Sequence, residues 1–575
     1  MLRRRLALGI TIVALAVGTA SPVLQNELTQ DDVPLIREDA RIHDLGNIRE
    51  MVTTPFWPKG GVIGHHRPLM TVTLALEWAM GRGAVISYKV MSLALHAAAA
   101  LALFLLCLEL LPLGWAAAAA LAFAVHPVHV EAVAIAINQG ELLIALAYCL
   151  VVRWYIRFRR ERLPTWRDRV ILGIVILVAT LFKETGVVLP ALLGAAELLL
   201  IPGAGWRERL RHFRPTVLVQ VLAVLVVVWM RILVLGEARG TFTAEGLIGQ
   251  GMGGRALTML GVVPEYLRLL FWPASLQADY SPGEIVPATA WGSAQSLGLM
   301  ILLLVGVLMV RLWKSAPIVV FGLAWIAIGI APVHNVVVPA GIVLAERTLF
   351  LPSVGAMLVV AALGAGVVEA ATARRRATLW LITGAMTIAI TLGAARSWSR
   401  YHVWRTQIGL WTQTVIDAPD SYRAWIALGS LMIRPEHFEM GVRFTQRGLD
   451  IYQNPAAMIG LGQTLQNHGA CDRAIPVYQR ALAISEFAPG RSEYLSCLTW
   501  EGEYDLAYRE AMTGIRSGYY YKVFRSWRRY LETLRRDRPP RHSHFAPPGI
   551  TDLLTSEKEE PGVWQLQPAL KTEVE

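Results

Sequence analysis

Eleven stretches of this 575-residue chain are apolar over a length that crosses a bilayer or nearly does: residues 6–24, 87–111, 114–130, 138–156, 169–182, 187–201, 215–235, 292–312, 316–333, 347–368 and 377–395. A chain with so many apolar runs has one kind of solution open to it, an all-α polytopic membrane protein with about eleven transmembrane helices. Its composition agrees, at 54% hydrophobic residues, 17% charged residues and a mean hydropathy of +0.45.

The formal net charge of +11 does not point to nucleic acid, because the arginines crowd into short loops between apolar runs. Arg3 to Arg5, "RWYIRFRRERLPTWRDR" from Arg153, "WRERLRHFR" from Trp206, "RLWK" from Arg311 and "ARRR" around Arg374 all fall on one side if the spans alternate. The positive-inside rule makes that side cytoplasmic, with the N-terminus. An odd number of spans then sends the C-terminus out of the cytoplasm. The first apolar run follows a basic start and ends in small residues like a signal peptide, yet it is long enough to stay as an anchor. The stretch "ALTMLGVVPEYLRLLFWP", with Glu265, Tyr266 and Arg268 interspersed, reads as a helix at the membrane interface instead of a span.

Past about Arg396 the composition becomes that of a water-soluble domain. "AWIALG" from Ala424 is echoed by "MIGLG" from Met458 and, more weakly, by "YLSCLTWEGEYDLA" from Tyr494. That spacing approaches the ~34 residues of a tetratricopeptide unit, and Gly462, Gly469, Ala474, Tyr478 and Ala481 sit where two helices would cross closely. Ordinary helical hairpins would use small residues in the same way. The division expected is a membrane domain over 1–396, a repeat domain over 397–538 and a disordered tail over 539–575, rich in proline and charge. Cys107 and Cys149 lie in apolar runs, whereas Cys471 and Cys497 can form a disulfide if their region faces an oxidising compartment.

Every polar cluster of chemical interest falls outside the cytoplasm on this topology. Asp31 and Asp32 follow the first run, either as solvated loop acids or as functional carboxylates beside the membrane. Arg67 precedes Pro68 at a helix start and offers a planar fork of donors to a phosphate, or snorkels to the interface. "HPVHVEAVA" holds His126, His129 and Glu131 within two turns, but with no third ligand nearby and no known zinc spacing. Substrate contact or helix capping suits them better, and a divalent metal is possible but not expected. Lys183 with Glu184, and Glu346 with Arg347, end two spans as neighbouring acid and base pairs. They read as neutralising ion pairs or as a cationic clamp oriented by carboxylates.

In order along the chain, "DDVPLI", "HHRPL", "HPVHVEAVA", "KETG", "QADYSP" and "LAERTLFLPSVG", followed by tetratricopeptide-like repeats, resemble the transmembrane and tetratricopeptide-repeat O-mannosyltransferases and their bacterial relatives. The resemblance implies a GT-C fold, a retained first helix and a polyprenyl-phosphate sugar as donor substrate. It also implies a location in the plasma (inner) membrane with the repeat domain periplasmic or otherwise extracytoplasmic. It implies that the first outer loop carries the catalytic acid, hence Asp31 and Asp32. One would take the proton of the acceptor hydroxyl and the other would orient the acceptor or raise its neighbour's basicity, the sequence leaving open which does which. Arg67, Lys183 and Arg347 would hold the departing lipid phosphate, Glu184 and Glu346 would position two of those cations, and Tyr280 would hydrogen-bond phosphate or sugar or simply anchor at the interface. The partners implied are membrane lipid and an acceptor protein or peptide docked on the repeats. The chain departs from the family pattern after the histidine motif: Asn138, Gln139, Gly140 and Glu141 stand where glycine, arginine, a small residue and aspartate are usual. Other readings remain: the same fold acting on a lipid or envelope glycan, a transporter of lipid-linked sugar, or an anchor presenting a repeat scaffold.

Overall fold

Apolar length decides which segments become long helices and which become short ones. The computed structural model describes residues 2–57, 64–203, 205–236, 243–371, 374–486, 488–518 and 520–556. Among these residues the elements are helices and turns, with no strand. The chain divides into two compact units, Met1–Pro419 and Asp420–Glu575.

Six helical segments of the first unit are long and apolar enough to cross a membrane: Leu2–Gln25, Val85–Cys107, Trp206–Leu235, Ser293–Leu312, Glu346–Ala370 and Arg375–Val403. A seventh is formed if Leu113–Ala124 and Pro127–Ala134, bent by 48° at their junction, count as one broken span. This is fewer than the eleven apolar runs, and the reasons are local. Trp166–Phe182, Leu189–Leu199 and Pro317–Ile330 have 17, 11 and 14 residues, short of the ~20 that a perpendicular span uses. Gln139–Glu161 has the length but carries Arg153, Arg157, Arg159 and Arg160 in its second half. Met252–Phe271, expected at the interface, is a 20-residue helix with Arg268 in its last turn. Leu218, Leu222 and Trp229 on Trp206–Leu235, and Leu303 and Leu304 on Ser293–Leu312, are exposed, as a bilayer solvent allows.

Small residues draw helices together where the core is deepest. A Cβ on Gly322 would stand 2.7 Å from the Gly355 carbonyl oxygen, so Pro317–Ile330 and Phe350–Ala370 cross nearly backbone to backbone. Gly186 of "KETG" is needed for a similar reason, since its Cβ would sit 2.6 Å from the backbone of Ala179 and Thr180. The turn can fold back on the preceding helix only with hydrogen there. Tyr401, Trp404 and Leu410 join this core, which moves the end of the first unit past the expected residue 396.

The second unit is a stack of helical hairpins: Tyr422–Leu431 with Phe438–Ile451, Pro455–Asn467 with Cys471–Ile484, and Ala488–Trp500 with Tyr504–Ser517. Tyr521–Asp537 follows them. The hairpins begin at a step close to the ~34-residue tetratricopeptide period. Ala474, Tyr478 and Ala481 are fully buried, and a Cβ on Gly462 would meet the Tyr478 ring at 2.5 Å. Cys471 and Cys497 are joined by a disulfide with Cα atoms 5.1 Å apart. Within residues 539–556 of the expected tail, the His542 N–H donates to the Trp500 carbonyl (2.7 Å), the two rings stack at 5.2 Å, and Ile550–Ser556 is helical. The rest of the expected tail, 557–575, lies outside the described residues.

Candidate active site

The two aspartates of the first loop have different environments. Gln30 takes a left-handed conformation (φ 49°), and a π-helical turn, Val33–Arg37, begins immediately after Asp32, a geometry frequent at functional sites. Asp32 is fully buried. Its Oδ2 accepts the Ala136 N–H at 2.9 Å and its Oδ1 the Ile137 N–H at 3.0 Å, satisfying amides that open the turn before Gln139–Glu161. Lys89 of Val85–Cys107, also fully buried, places its Nζ 3.6 Å from Asp32 Oδ2 and donates to the Ala134 carbonyl at 2.7 Å. Asp31 is partly buried, and its carboxylate makes no hydrogen bond or ion pair among the described residues. The charge of Asp31 reaches Arg347 through space.

Neighbouring acids and bases turn out not to be partners. Lys183 is extended (φ −161°, ψ 145°), so its side chain and that of Glu184 diverge. Lys183 Nζ pairs with Glu141 at 2.8 Å, whereas Glu184 receives Arg67 at 2.7 and 2.9 Å, Arg231 at 3.3 Å and His65 at 3.3 Å. Burial works to raise the Glu184 carboxyl, but Arg67 and His65 overcome it and hold the group well below the usual carboxylate range. Burial lowers the Lys183 ammonium; Glu141 opposes that shift, and Arg67 and Arg347 add to it. Arg347 donates through its backbone N–H (2.8 Å) and its guanidinium to Glu131, not to Glu346. Glu346 accepts the Gln277 N–H at 2.6 Å and the Tyr280 hydroxyl at 3.0 Å. Of the two expected carboxylate supports, Glu184 holds a cation and Glu346 holds a loop.

The histidines make structural bonds. The Val128 N–H donates to His126 Nδ1 (3.3 Å), which leaves Nε2–H to donate to the Leu270 carbonyl (3.1 Å). His129 Nε2 lies 2.8 Å from Ser353 Oγ, whose own hydroxyl donates to the Phe350 carbonyl. Among the described residues no cluster of three or more potential ligands could hold a metal ion. At the departure from the family pattern, Gln139 is fully buried and its amide nitrogen lies within 3.1–3.2 Å of Glu77, Ser92 and the Tyr88 carbonyl. Burial pushes the Glu77 carboxyl up to about 8, so at neutral pH a mostly neutral acid faces a neutral amide.

The result is a polar patch assembled from widely separated segments, with Arg67, Lys183, Arg231 and Arg347 interleaved with Glu131, Glu141 and Glu184. Arg231, Lys89 and Glu141 were not singled out by motif. Arg231 is a lone charge near the end of an apolar run, Lys89 a lone charge inside one, and Glu141 stands at the departure. An anion entering this patch meets guanidinium and ammonium donors already oriented by carboxylates.

Human protein O-mannosyl-transferase TMTC3 is 23% identical to this chain over 514 residues, covering 83% of the chain and 56% of the human protein. The mouse protein of the same name is 23% identical over 492 residues, 80% of the chain and 53% of the relative. Protein O-mannosyl-transferase F38B6.6 of Caenorhabditis elegans is 21% identical over 436 residues, 74% and 59%. The chain spans little more than half the length of these relatives. No family model matches the sequence, and no solved structure matches the fold. Over most of its length, then, this chain is similar, at 21–23% identity, to proteins named protein O-mannosyl-transferases.

Proposed function

We propose that this chain is a membrane-embedded glycosyltransferase that moves a mannosyl unit from a polyprenyl-phosphate donor to a polypeptide hydroxyl on the extracytoplasmic side. The observation that carries the reading is a partly buried carboxylate, Asp31, whose charge reaches Arg347, one of four cations held by three carboxylates. The names of the relatives supply the sugar and the protein acceptor. The Cys471–Cys497 disulfide suits an oxidising compartment.

In the mechanism, Asp31 takes the proton of the acceptor hydroxyl as its oxygen attacks the anomeric carbon. The bond from that carbon to the phosphate oxygen breaks on the opposite face, so the configuration inverts, and the electron pair leaves with polyprenyl phosphate. The leaving phosphate gains charge as this happens. Arg67, Arg231, Lys183 and Arg347 bind it more tightly in the transition state than before it. Asp32 does not react; it pins the loop to residues 136 and 137, and so fixes where Asp31 stands.

The test is transfer by the purified chain from synthetic polyprenyl-phosphate mannose, and from glucose and galactose analogues, to peptide, glycolipid and glycan acceptors. Mannose appearing on peptide, and lost in Asp31→Asn, supports the reading. Transfer to glycan alone would replace the acceptor, and transfer unchanged in Asp31→Asn would remove the proposed base.

A further inference from the structure

The helix Tyr521–Asp537 of the second unit has two unlike faces. Val523, Phe524, Trp527, Leu531 and Leu534 are buried. On the opposite side Lys522, Arg525, Arg529 and Arg536 are all exposed, and their spacing of three, four and seven residues sets them on one stripe. At ~1.5 Å per residue the stripe runs about 21 Å. Beside the stripe Arg535 and Arg538 each lie 2.7 Å from Asp505, and Arg528 lies 3.5 Å from Glu532, an exposed acid that stands on the stripe between Arg529 and Arg536. On the stripe itself Arg525 leans over the ring of Tyr521, which is 47% exposed, and Arg536 pairs with its exposed neighbour Asp537 at 3.1 Å.

We propose that this stripe is a docking surface for an anionic lipid bilayer. A row of four cations, interrupted once by Glu532 and with an aromatic ring at one end, fits a plane of headgroup phosphates. An amphipathic helical peptide would call for an apolar groove, and the stripe itself is made of charged side chains. The apolar helices of the first unit also keep lipid within reach of the chain at high effective concentration. The inference does not depend on the transferase reading.

The full chain is placed in nanodiscs of phosphatidylcholine alone or with phosphatidylglycerol, and the rate at which an amine reagent labels Lys522 is measured together with hydrogen exchange over 521–537. Labelling is expected to slow by about five-fold or more in the anionic discs, recovering in high salt. In Arg525→Gln/Arg529→Gln/Arg536→Gln, which keeps Lys522 as reporter, the two compositions should label alike. The melting temperature and the Cys471–Cys497 bond of that variant check its folding, and single Arg529→Gln serves if the triple variant is unstable. Equal wild-type rates in both lipids overturn the proposal. So does protection by an added acidic polypeptide in neutral discs with none from phosphatidylglycerol, which would assign the stripe to a protein partner.

Discussion

Lys89→Met and Asp32→Asn should each destabilise the first unit strongly, and the two together little more than either alone. Both side chains are fully buried, 3.6 Å apart, and removing one member of such a pair strands the other, at a cost of ~3–5 kcal/mol. The low end applies to Lys89→Met, because Asp32 keeps two backbone donors. Asp32→Asn turns an amide NH2 against one of those N–H groups and leaves Lys89 with the Ala134 carbonyl. The double variant strands no charge, so about 3 kcal/mol of the summed loss should be absent as coupling energy. With an unfolding entropy of ~2.1 cal/mol/K per residue, a unit of about 400 residues shifts by roughly 1 °C per kcal/mol. Thermal unfolding in detergent should therefore fall by about 3–5 °C in each single variant and by about 5 °C in the double. A double variant lowered by about 8 °C, the additive result, would refute the pairing.

Three further outcomes follow from the site and the repeat unit. Arg347→Ala frees Glu131 and removes one of the proposed phosphate ligands, so kcat/KM for the donor should drop by about a hundred-fold, more than in Arg347→Lys; equal rates in wild type and Arg347→Ala would remove it from the site. The Glu184 carboxyl is held below its ordinary 4.5, so its stabilising contribution is fully present above that pH and fades only as pH falls through the depressed value. The melting gap between wild type and Glu184→Gln should hold from pH 8 to pH 5, narrow below the ordinary 4.5 and close only as pH falls through the depressed value, and a gap closing near neutrality would contradict the assignment. Cys471→Ser/Cys497→Ser opens a loop with a sequence separation of 26, worth about 3.5 kcal/mol on the chain-entropy estimate, and should lower the melting of the repeat unit without altering the first unit.

The sequence was most legible where a single property dominates. Apolar length announced the membrane helices, and the small residues at 462, 474 and 481 announced a hairpin that the structure builds. What hydropathy could not see was helix length: the runs around 169–182, 187–201 and 316–333 are apolar enough but end early, where Lys183, Leu200 and Ala331 close short helices. At the site the motifs identified residues but not their partners. Lys183 and Glu184 look paired in one dimension, yet the extended backbone at Lys183 sends them to Glu141 and to Arg67 with Arg231. Asp31 and Asp32 look interchangeable until burial and two backbone N–H groups single out Asp32. Lys89 and Arg231 were hidden because one charge in an apolar run carries no pattern, and only helix packing reveals what each faces.

The measurement closest to the central claim is single-turnover mannose transfer, with donor binding measured separately, in wild type, Asp31→Asn and Arg67→Ala. The account predicts that Asp31→Asn binds donor as wild type does but transfers more slowly by at least about a hundred-fold, whereas Arg67→Ala weakens donor binding as well. Near-normal transfer by Asp31→Asn, with donor bound, would contradict it.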